Sequence, residues 1–456
     1  MPISTARTIA YDALLRVENE AAYASEVLHA RLNENTAVKV SARDAALATE
    51  IVMGTLRWQR LLDFFIEHYT GKNPLALDVE VLIALRIGIY QLRHLARIPA
   101  SAAVHESVEL VKRARKQSAS SLVNAVLRHA AAESTKPARN FLPRELASAD
   151  ALGLLHSHPT WLVERWLERF GREEIVALLE TNNEAPRRVC AVLSHENREE
   201  ALRSLAYAHV EFEPGRLARD AITIRSGDVT QTKAFQNGWI SFQDEASQII
   251  PLLLHVKAGE SVLDVCAAPG GKTMALAQKA GPVGLVVAAD RRENRLRVMR
   301  ERLALAHVSN VKMIALDGTA PLPFRATFER ILVDAPCSGT GTLSRNPEIR
   351  WKLKPTDLLE LHARQVMLLS SALECLPPEG RIVYSTCSLE PEENEDVISE
   401  VLHTHPEFRA IHAEIPAGAL VEGVRAETLV DSHGAFRTFP PQHATDGFFA
   451  AVLARR

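Results

Sequence analysis

The amino-acid sequence predicts a multidomain protein with an all-α N-terminal domain, a small mixed α/β segment and a C-terminal α/β domain with a mostly parallel sheet. Three observations lead to this fold class. Apolar residues recur at helical spacing up to about residue 133, a polar segment containing proline follows, and short apolar runs alternate with helical patterns from about residue 235. A chain of 456 residues is long enough for two or three domains.

The N-terminal region, residues 1–133, is predicted to be helical throughout. Leu82, Leu85, Ile89 and Leu92 follow the spacing of one helix face, and no alternating strand pattern competes. Residues 134–147 are predicted to form a linker, because they begin with a polar run that contains proline.

The middle segment, residues 148–234, combines both kinds of element. Residues 161–179 have helical spacing, whereas residues 188–193 and 221–225 are typical of strands. Asn237-Gly238, flanked by aromatic residues, predicts a hairpin turn at the entrance to the third region.

The third region, residues 235–456, alternates strands with helices. The predicted strands are residues 261–265, 284–290, 311–317, 330–334, 380–384 and 447–453. Short apolar strands separated by helices indicate a Rossmann-like, mostly parallel sheet covered on both faces. Ligands of such sheets bind at the carboxyl ends of the strands.

Composition argues against a secreted disulfide-rich protein, a membrane-spanning protein and a metal-binding protein. Five cysteines without paired spacing argue against a disulfide framework and for a reducing, cytoplasmic compartment. We find no signal-peptide pattern, no apolar run long enough for a membrane span and no metal-ligand spacing. The net charge of −3 does not indicate a nucleic-acid-binding protein, but a local basic face is sufficient for one.

A loop of small residues follows the first strand of the third region. It begins after Asp264 and contains Cys266, Ala267, Ala268, Pro269, Gly270, Gly271 and Lys272. A P-loop requires glycine where Cys266 stands, and the dinucleotide fingerprint is also absent. The remaining interpretations are the methyl-donor loop of an S-adenosylmethionine enzyme and a tight turn that binds nothing.

Acidic residues at the next strand ends favour the methyl-donor interpretation. Asp290 ends the second strand, where a carboxylate accepts hydrogen bonds from ribose hydroxyls. Asp317 ends the third strand and is predicted to receive an adenine amino group. A single aspartate at a strand end is more often a turn or cap residue, but three successive strands deliver one to the same edge.

Two cysteines lie just past strands: Cys337, three residues after Asp334, and Cys387. Carbon 5 of cytosine is a poor nucleophile, but a thiolate added at carbon 6 makes it reactive toward a sulfonium methyl group. This chemistry requires a nucleophilic cysteine, an acid at ring nitrogen 3, and a base. Chemistry alone does not say which cysteine attacks, and two inert loop thiols are the alternative.

The sequences Asp-Ala-Pro-Cys-Ser-Gly-Thr-Gly at 334–341 and Tyr-Ser-Thr-Cys-Ser at 384–388 resemble the two cysteine motifs of RNA cytosine-5 methyltransferases. This resemblance implies that Cys387 is the nucleophile, that Cys337 assists release of the adduct, and that Asp334 is the acid or base anchor, which also borders the donor site. Cytosine-5 DNA methyltransferases instead attack with the Pro-Cys cysteine.

The resemblance extends over nearly the whole chain. The N-terminal helices resemble the NusB-type RNA-binding domain of the Sun/Fmu/RsmB-type 16S ribosomal RNA methyltransferases. S-adenosylmethionine is therefore the implied methyl donor and small-subunit ribosomal RNA the implied partner, without a membrane or a metal, and a monomer is expected. The alternatives are an enzyme acting on transfer RNA or protein, and a non-catalytic module that binds nucleotide and RNA.

Basic side chains are the candidate RNA contacts. On the helical domain these are Lys112, Arg113, Arg115 and Lys116, and after Cys337 they are Arg345, Arg350, Lys352 and Lys354. A charge run of this kind is as often a solvated face.

Overall fold

The computed structural model describes residues 3–20, 22–32, 40–142, 148–193, 197–325 and 327–456. The chain divides into two compact units. The first comprises Met1–Ala185 together with Leu343–Leu353, and the second comprises Pro186–Thr342 together with Lys354–Arg456.

The helices and strands follow in chain order. The α-helices are α1 (Thr5–Glu20), α2 (Ala24–Leu32), α3 (Ala42–Arg57), α4 (Gln59–Thr70), α5 (Val79–His94), α6 (Ala100–Arg113), α7 (Ser120–Ala132), α8 (Ala149–Leu155), α9 (Thr160–Phe170), α10 (Arg172–Asn183), α11 (Arg198–Tyr207), α12 (Lys233–Gln236), α13 (Glu245–Ile249), α14 (Gly271–Ala280), α15 (Glu293–Leu305), α16 (Ile349–Lys352), α17 (Pro355–Leu373), α18 (Glu395–Thr404) and α19 (Pro440–His443). The strands are β1 (Arg188–Val192), β2 (Glu211–Pro214), β3 (Ala221–Ser226), β4 (Ile240–Phe242), β5 (Ser261–Asp264), β6 (Leu285–Asp290), β7 (Val311–Ala315), β8 (Arg330–Asp334), β9 (Arg381–Thr386), β10 (Phe408–Ile411), β11 (Phe436–Thr438) and β12 (Phe448–Arg455).

The first unit is helical, which confirms the predicted fold of the N-terminal region. Helix α5 is its centre, because residues 81–91 are all buried and the helix contacts α1, α3, α4, α6 and α7. A helix enclosed on all sides is apolar around its whole circumference, whereas the surrounding helices need only one apolar stripe.

The first unit extends further along the chain than the sequence predicts. The predicted linker packs against the helical core where it is described: the ring of Phe141 lies edge-on to Phe65 with ring centroids 5.3 Å apart. Residues 143–147 of that linker lie outside the described residues. Helices α8, α9 and α10, predicted to belong to the mixed middle segment, are part of the first unit.

A small antiparallel sheet opens the second unit, with strand order β2-β3-β1-β4. The strands predicted at 188–193 and 221–225 are β1 and β3, which pair directly. The hairpin turn predicted at Asn237-Gly238 is wrong. These residues end the short helix α12, since the Asn237 amide donates to the Lys233 carbonyl at 2.8 Å. The strand after them, β4, pairs with β1 and not with a strand that ends at this turn.

The large sheet has the order β10-β12-β9-β8-β5-β6-β7, with β11 paired to β12. Strands β5 to β9 are parallel, and β12 runs antiparallel to β9, so the predicted mostly parallel sheet is confirmed. The chain runs from β5 outward to β7 and then returns to the other side of β5 with β8. This reversal places a crevice at the carboxyl end of β5, where such sheets bind ligands.

Candidate active site

The loop after β5 is held in place by its neighbour β6. Asp290, at the end of β6, accepts a hydrogen bond from the Ala268 amide at 3.1 Å and another from the Arg292 amide at 2.8 Å. Gly270 has φ of +101°, and a Cβ there would lie 2.7 Å from Cγ of Met299. Only glycine therefore fits at this position, and its bare backbone leaves the loop open to a ligand.

Asp264 lies beneath this loop and is 1% exposed. The Thr273 hydroxyl donates to its Oδ2 at 2.6 Å, and its Oδ1 has no partner among the described residues. Burial raises the pKa of Asp264 to about 7, the nearby Asp334 and Asp290 also raise it, and Thr273 and Lys272 oppose the rise. The site therefore holds a carboxyl group that gains or loses its proton near neutral pH.

This pKa shift predicts a pH-dependent stability. Because the pKa is higher in the folded protein than the ordinary value of 3.8, the fold favours the protonated carboxyl, and stability is lost as the pH rises from about 4 to about 7. Between pH 5 and pH 8 the free energy of unfolding falls by about 2 to 3 kcal/mol because of this group. We expect Asp264→Asn to remove this pH dependence, as measured by urea unfolding without methyl donor. An equal loss in Asp264→Asn and in the exposed control Asp396→Asn would contradict this.

The two cysteine loops meet because their strands are neighbours. Strands β8 and β9 are parallel, with Asp334 opposite Ser385, so the residues that follow them emerge side by side. The Sγ atoms of Cys337 and Cys387 are 3.3 Å apart. The hydrogen bond with Cys387 and burial hold the pKa of the Cys337 thiol well above its ordinary value, so Cys337 keeps its proton at neutral pH.

Asp334 connects the donor loop to the cysteine loops. Its Oδ2 accepts from Lys272 Nζ at 2.7 Å, and its Oδ1 accepts from the Ser385 hydroxyl at 2.7 Å. Burial lowers the pKa of Lys272, but Asp334 outweighs it and the net pKa is raised. Lys272 is therefore a cation at neutral pH, and the two groups form an ion pair beside the thiols.

Glu393 is a buried carboxylate that the sequence analysis missed. Its oxygens accept from the Ser338 amide at 2.8 Å and from Gln365 Nε2 at 2.9 Å, and also from the hydroxyls of Ser338 and Ser388. These serines directly follow the two cysteines, so one carboxylate ties both loops together. The acidic run after Cys387 was the only sequence signal, and it does not show which carboxylate is buried.

Asp317 follows β7, next to Asp290 on β6, and its carboxylate is exposed. It accepts from the Thr319 amide at 3.1 Å and lies 3.5 Å from Arg291 Nε. The structure thus brings the donor loop, Asp290, Asp317, Asp334 and both cysteine loops to one edge of one sheet.

Cys266 belongs to the donor loop. Burial holds the pKa of its thiol well above the ordinary value, so this cysteine keeps its proton at neutral pH.

Several predicted RNA contacts already have partners within the first unit. Lys112 pairs with Glu109 at 2.7 Å, Arg113 with Asp12 at 2.7 Å, and Lys116 with Asp78 at 2.9 Å. Arg115 is exposed. The basic run is therefore largely neutralised by carboxylates of the same unit, although its role in RNA binding stays a prediction.

Three of the four basic residues predicted after Cys337 are half-buried or buried. Arg350 is 1% exposed and donates to the Ser157 carbonyl at 3.0 Å and to Asn183 Oδ1 at 2.8 Å, so its prediction as an RNA contact is wrong. Lys352 is half-buried and donates to the Ala22 carbonyl at 2.6 Å. Arg345 is half-buried in the same segment. All three residues lie in the segment Leu343–Leu353, which belongs to the first unit.

No helix in the described part of the chain is long and apolar enough to cross a membrane. No group of three or more histidine, cysteine, aspartate or glutamate side chains there is arranged to hold a metal ion.

The chain matches three known protein families along its length. Residues 251–454 match the family described as 16S rRNA methyltransferase RsmB/F, residues 4–132 match the NusB family, and residues 158–230 match the RsmF/B-like ferredoxin-like domain. The chain is 32% identical to the "Probable ribosomal RNA small subunit methyltransferase B" of Bacillus subtilis (strain 168), over 100% of both chains. It is 34% identical to the ribosomal RNA small subunit methyltransferase B of Pseudomonas putida, over 91% of this chain and 92% of that protein.

Solved structures give the same result. The structure of PH0851 superposes with a TM-score of 0.80 at 26% identity, over 98% of this chain and 97% of that chain. A methyltransferase homolog from Pyrococcus horikoshii superposes with a TM-score of 0.57 at 30% identity, over 69% of this chain and 100% of that chain. With similarity of this kind along its whole length, the chain belongs to the ribosomal RNA small subunit methyltransferase B family.

Proposed function

We propose that this protein methylates carbon 5 of a cytosine in small-subunit ribosomal RNA, with S-adenosylmethionine as the methyl donor and a covalent Cys387–cytosine adduct. The observation that carries the proposal is the contact between two thiols at 3.3 Å, beside the ion pair of Lys272 and Asp334 at 2.7 Å. A fold that only bound nucleotide and RNA would have no need for two thiols in contact at this edge. The names of the relatives support ribosomal RNA as the substrate.

The donor loop fits the proposed methyl donor. The backbone around Gly270 offers an approach that a side chain would close, and Asp290 has carboxylate oxygens beside it for ribose hydroxyls. The unpartnered Oδ1 of Asp264 lies under the same loop. Asp317, on the next strand, is the candidate for the adenine amino group. Bound there, S-adenosylmethionine supplies the electrophilic methyl group that carbon 5 of cytosine takes up.

The chain's own residues perform the remaining steps. As the Cys387 sulfur adds to carbon 6, the proton of its thiol passes to ring nitrogen 3, so electrons move toward carbon 5. Asp334, whose Oδ2 accepts from Lys272 Nζ at 2.7 Å, also accepts a hydrogen bond from protonated nitrogen 3. After methylation a base removes the proton from carbon 5, the carbon 5–carbon 6 double bond re-forms as the bond from Cys387 to carbon 6 breaks, and the departing thiolate takes back the proton of ring nitrogen 3. Cys337, which keeps its proton and lies against Cys387, assists this release.

The test is the identity of the methylated nucleoside. Small-subunit ribosomal RNA from cells that lack the protein is incubated with the protein and deuterated S-adenosylmethionine, then digested and analysed by mass spectrometry. We expect deuterated 5-methylcytidine from this RNA and none from transfer RNA in a parallel reaction. A methyl group on another base or another atom would overturn the proposal, and 5-methylcytidine only in transfer RNA would change the substrate. Bisulfite sequencing of the same RNA locates the modified cytosine.

A further inference from the structure

Helix α15 and the two residues before it carry an unusual density of arginines. Residues 291–302 contain six of them, Arg291, Arg292, Arg295, Arg297, Arg300 and Arg302, against two glutamates. All six arginines are exposed. We call this set the arginine face of α15; at about 100° per residue Arg295 and Arg302 lie on one flank of the exposed surface and Arg297 and Arg300 on the other. With the two glutamates included, residues 291–302 carry a net charge of +4 in a chain whose formal net charge is −3.

These arginines differ from the basic run at Lys112–Lys116 in having almost no partners. Arg291 has one, Asp317, at 3.5 Å. None of the other five side chains has a carboxylate within 4.0 Å among the residues that the structure describes. Glu293 and Glu301 stand four residues from Arg297, a spacing that permits helix ion pairs, yet no such pair forms. Apart from Arg291, the positive charge of this face is therefore not cancelled by ion pairs with the residues that the structure describes.

The helix that carries the arginine face is firmly seated. Leu296, Met299 and Leu303 are buried and anchor it to the second unit. An anchored helix holds its exposed side chains at fixed positions along about 17 Å of surface, at 1.5 Å per residue. A surface of this length suits an extended polyanion better than a single small anion.

The arginine face lies directly beside the donor loop. The Arg292 amide donates to Asp290, and Met299, on the buried side of the same helix, lies against Gly270. A nucleic acid that presents a base to the cysteine loops must pass its backbone over surfaces close to this edge. Because the donor loop and the cysteine loops share one edge of the sheet, the Arg292 end of the arginine face lies at the edge where a flipped target base would enter.

We propose that the arginine face of α15 is an RNA-binding surface that contacts phosphates of the strand flanking the target cytosine. This inference rests on the proposed function, since it takes RNA to be the substrate. Guanidinium groups form two parallel hydrogen bonds with phosphate oxygens, and RNA presents one phosphate at every nucleotide. An acidic protein segment is the competing partner, because carboxylates accept the same two bonds; RNA is favoured because it is the proposed substrate of the same sheet edge.

The experiment measures RNA affinity as a function of salt concentration. The test variant combines Arg295→Gln, Arg297→Gln and Arg302→Gln. The matched control combines Arg16→Gln, Arg203→Gln and Arg225→Gln, which removes three exposed charges that are paired with Glu20, Glu199 and Glu213. Both variants therefore have the same net charge. Binding of S-adenosylhomocysteine, measured by calorimetry, checks that each variant is folded.

We expect the test variant to bind a small-subunit RNA fragment about tenfold or more weakly at 0.15 M salt, with the slope of log affinity against log salt reduced by about 2. That slope change corresponds to about 0.7 per lost phosphate contact on a single strand. The control should match the wild type in both quantities. S-adenosylhomocysteine affinity should be the same in all three proteins.

Two results would overturn the proposal: a test variant that behaves like the control, and wild-type affinity for poly-L-glutamate equal to that for RNA of the same length. The second result would identify a surface for acidic protein. Because the readout is binding, a loss of RNA affinity would stand even if the wild type did not methylate RNA. Failure of this proposal and failure of the proposed function are therefore separable.

Discussion

Cys387→Ala is expected to lose methylation and to form no covalent complex with RNA, whereas Cys337→Ala is expected to accumulate one. Without the Cys387 thiolate nothing adds to carbon 6, so the rate should fall on the order of 10⁴-fold or more. Cys337→Ala retains the attacking thiol but loses the protonated thiol that lies 3.3 Å from it. The adduct should therefore form, accept its methyl group and resolve slowly. A denaturing gel of each variant with RNA and S-adenosylmethionine measures the covalent species.

The control for these cysteine variants is Cys375→Ala, which removes the same sulfur atom from a residue buried in the core of the large sheet. It should neither trap RNA nor lose methylation. Trapping by Cys387→Ala and not by Cys337→Ala would reverse the two roles and place this chain with the DNA-type order of attack. Normal turnover by Cys337→Ala, without trapped RNA, would show that release does not depend on Cys337.

Asp290→Ala is expected to weaken S-adenosylhomocysteine binding by about 100-fold or more. The carboxylate is 8% exposed and holds the donor loop through the Ala268 amide, so its loss both releases the loop and removes the acceptor proposed for the ribose hydroxyls. Two hydrogen bonds to a charged acceptor are worth roughly 3 to 6 kcal/mol. Calorimetry at constant salt and pH measures the change.

Asp317→Ala is the matched comparison for Asp290→Ala. Both carboxylates follow neighbouring strands, but Asp317 is exposed and accepts from Thr319. A single exposed hydrogen bond to adenine should cost at most about tenfold in affinity. Undiminished binding by Asp290→Ala would remove Asp290 from the donor site. Equal, large losses in both variants would show that Asp317 contributes more to the site than its exposure indicates.

The sheet edge that carries the candidate active site was predictable because its geometry follows from strand direction. Each of the motifs at Asp264, Asp290, Asp334 and Cys387 stands at or just after the end of an apolar run of strand length. Once those strands are parallel, their carboxyl ends share one edge, and residues far apart in the sequence become neighbours. The short strands β2, β4, β10 and β11 escaped prediction, since runs of three or four residues carry little periodic signal.

Periodicity and motifs predicted the helical start of the chain, the parallel sheet and the residues at the edge of that sheet. Which charged side chains remain available for binding depends instead on packing between distant segments. No local sequence pattern predicts the ion pair between Lys116 and Asp78, because the two residues are far apart in the sequence. The same holds for the hydrogen bond between Arg350 and Asn183. Burial of Glu393 between two loops also depends on the assembled sheet. Contacts between side chains that are distant in the sequence depend on how the elements pack. Strand and helix periodicity, in contrast, is a property of neighbouring residues and can be recognised in the sequence.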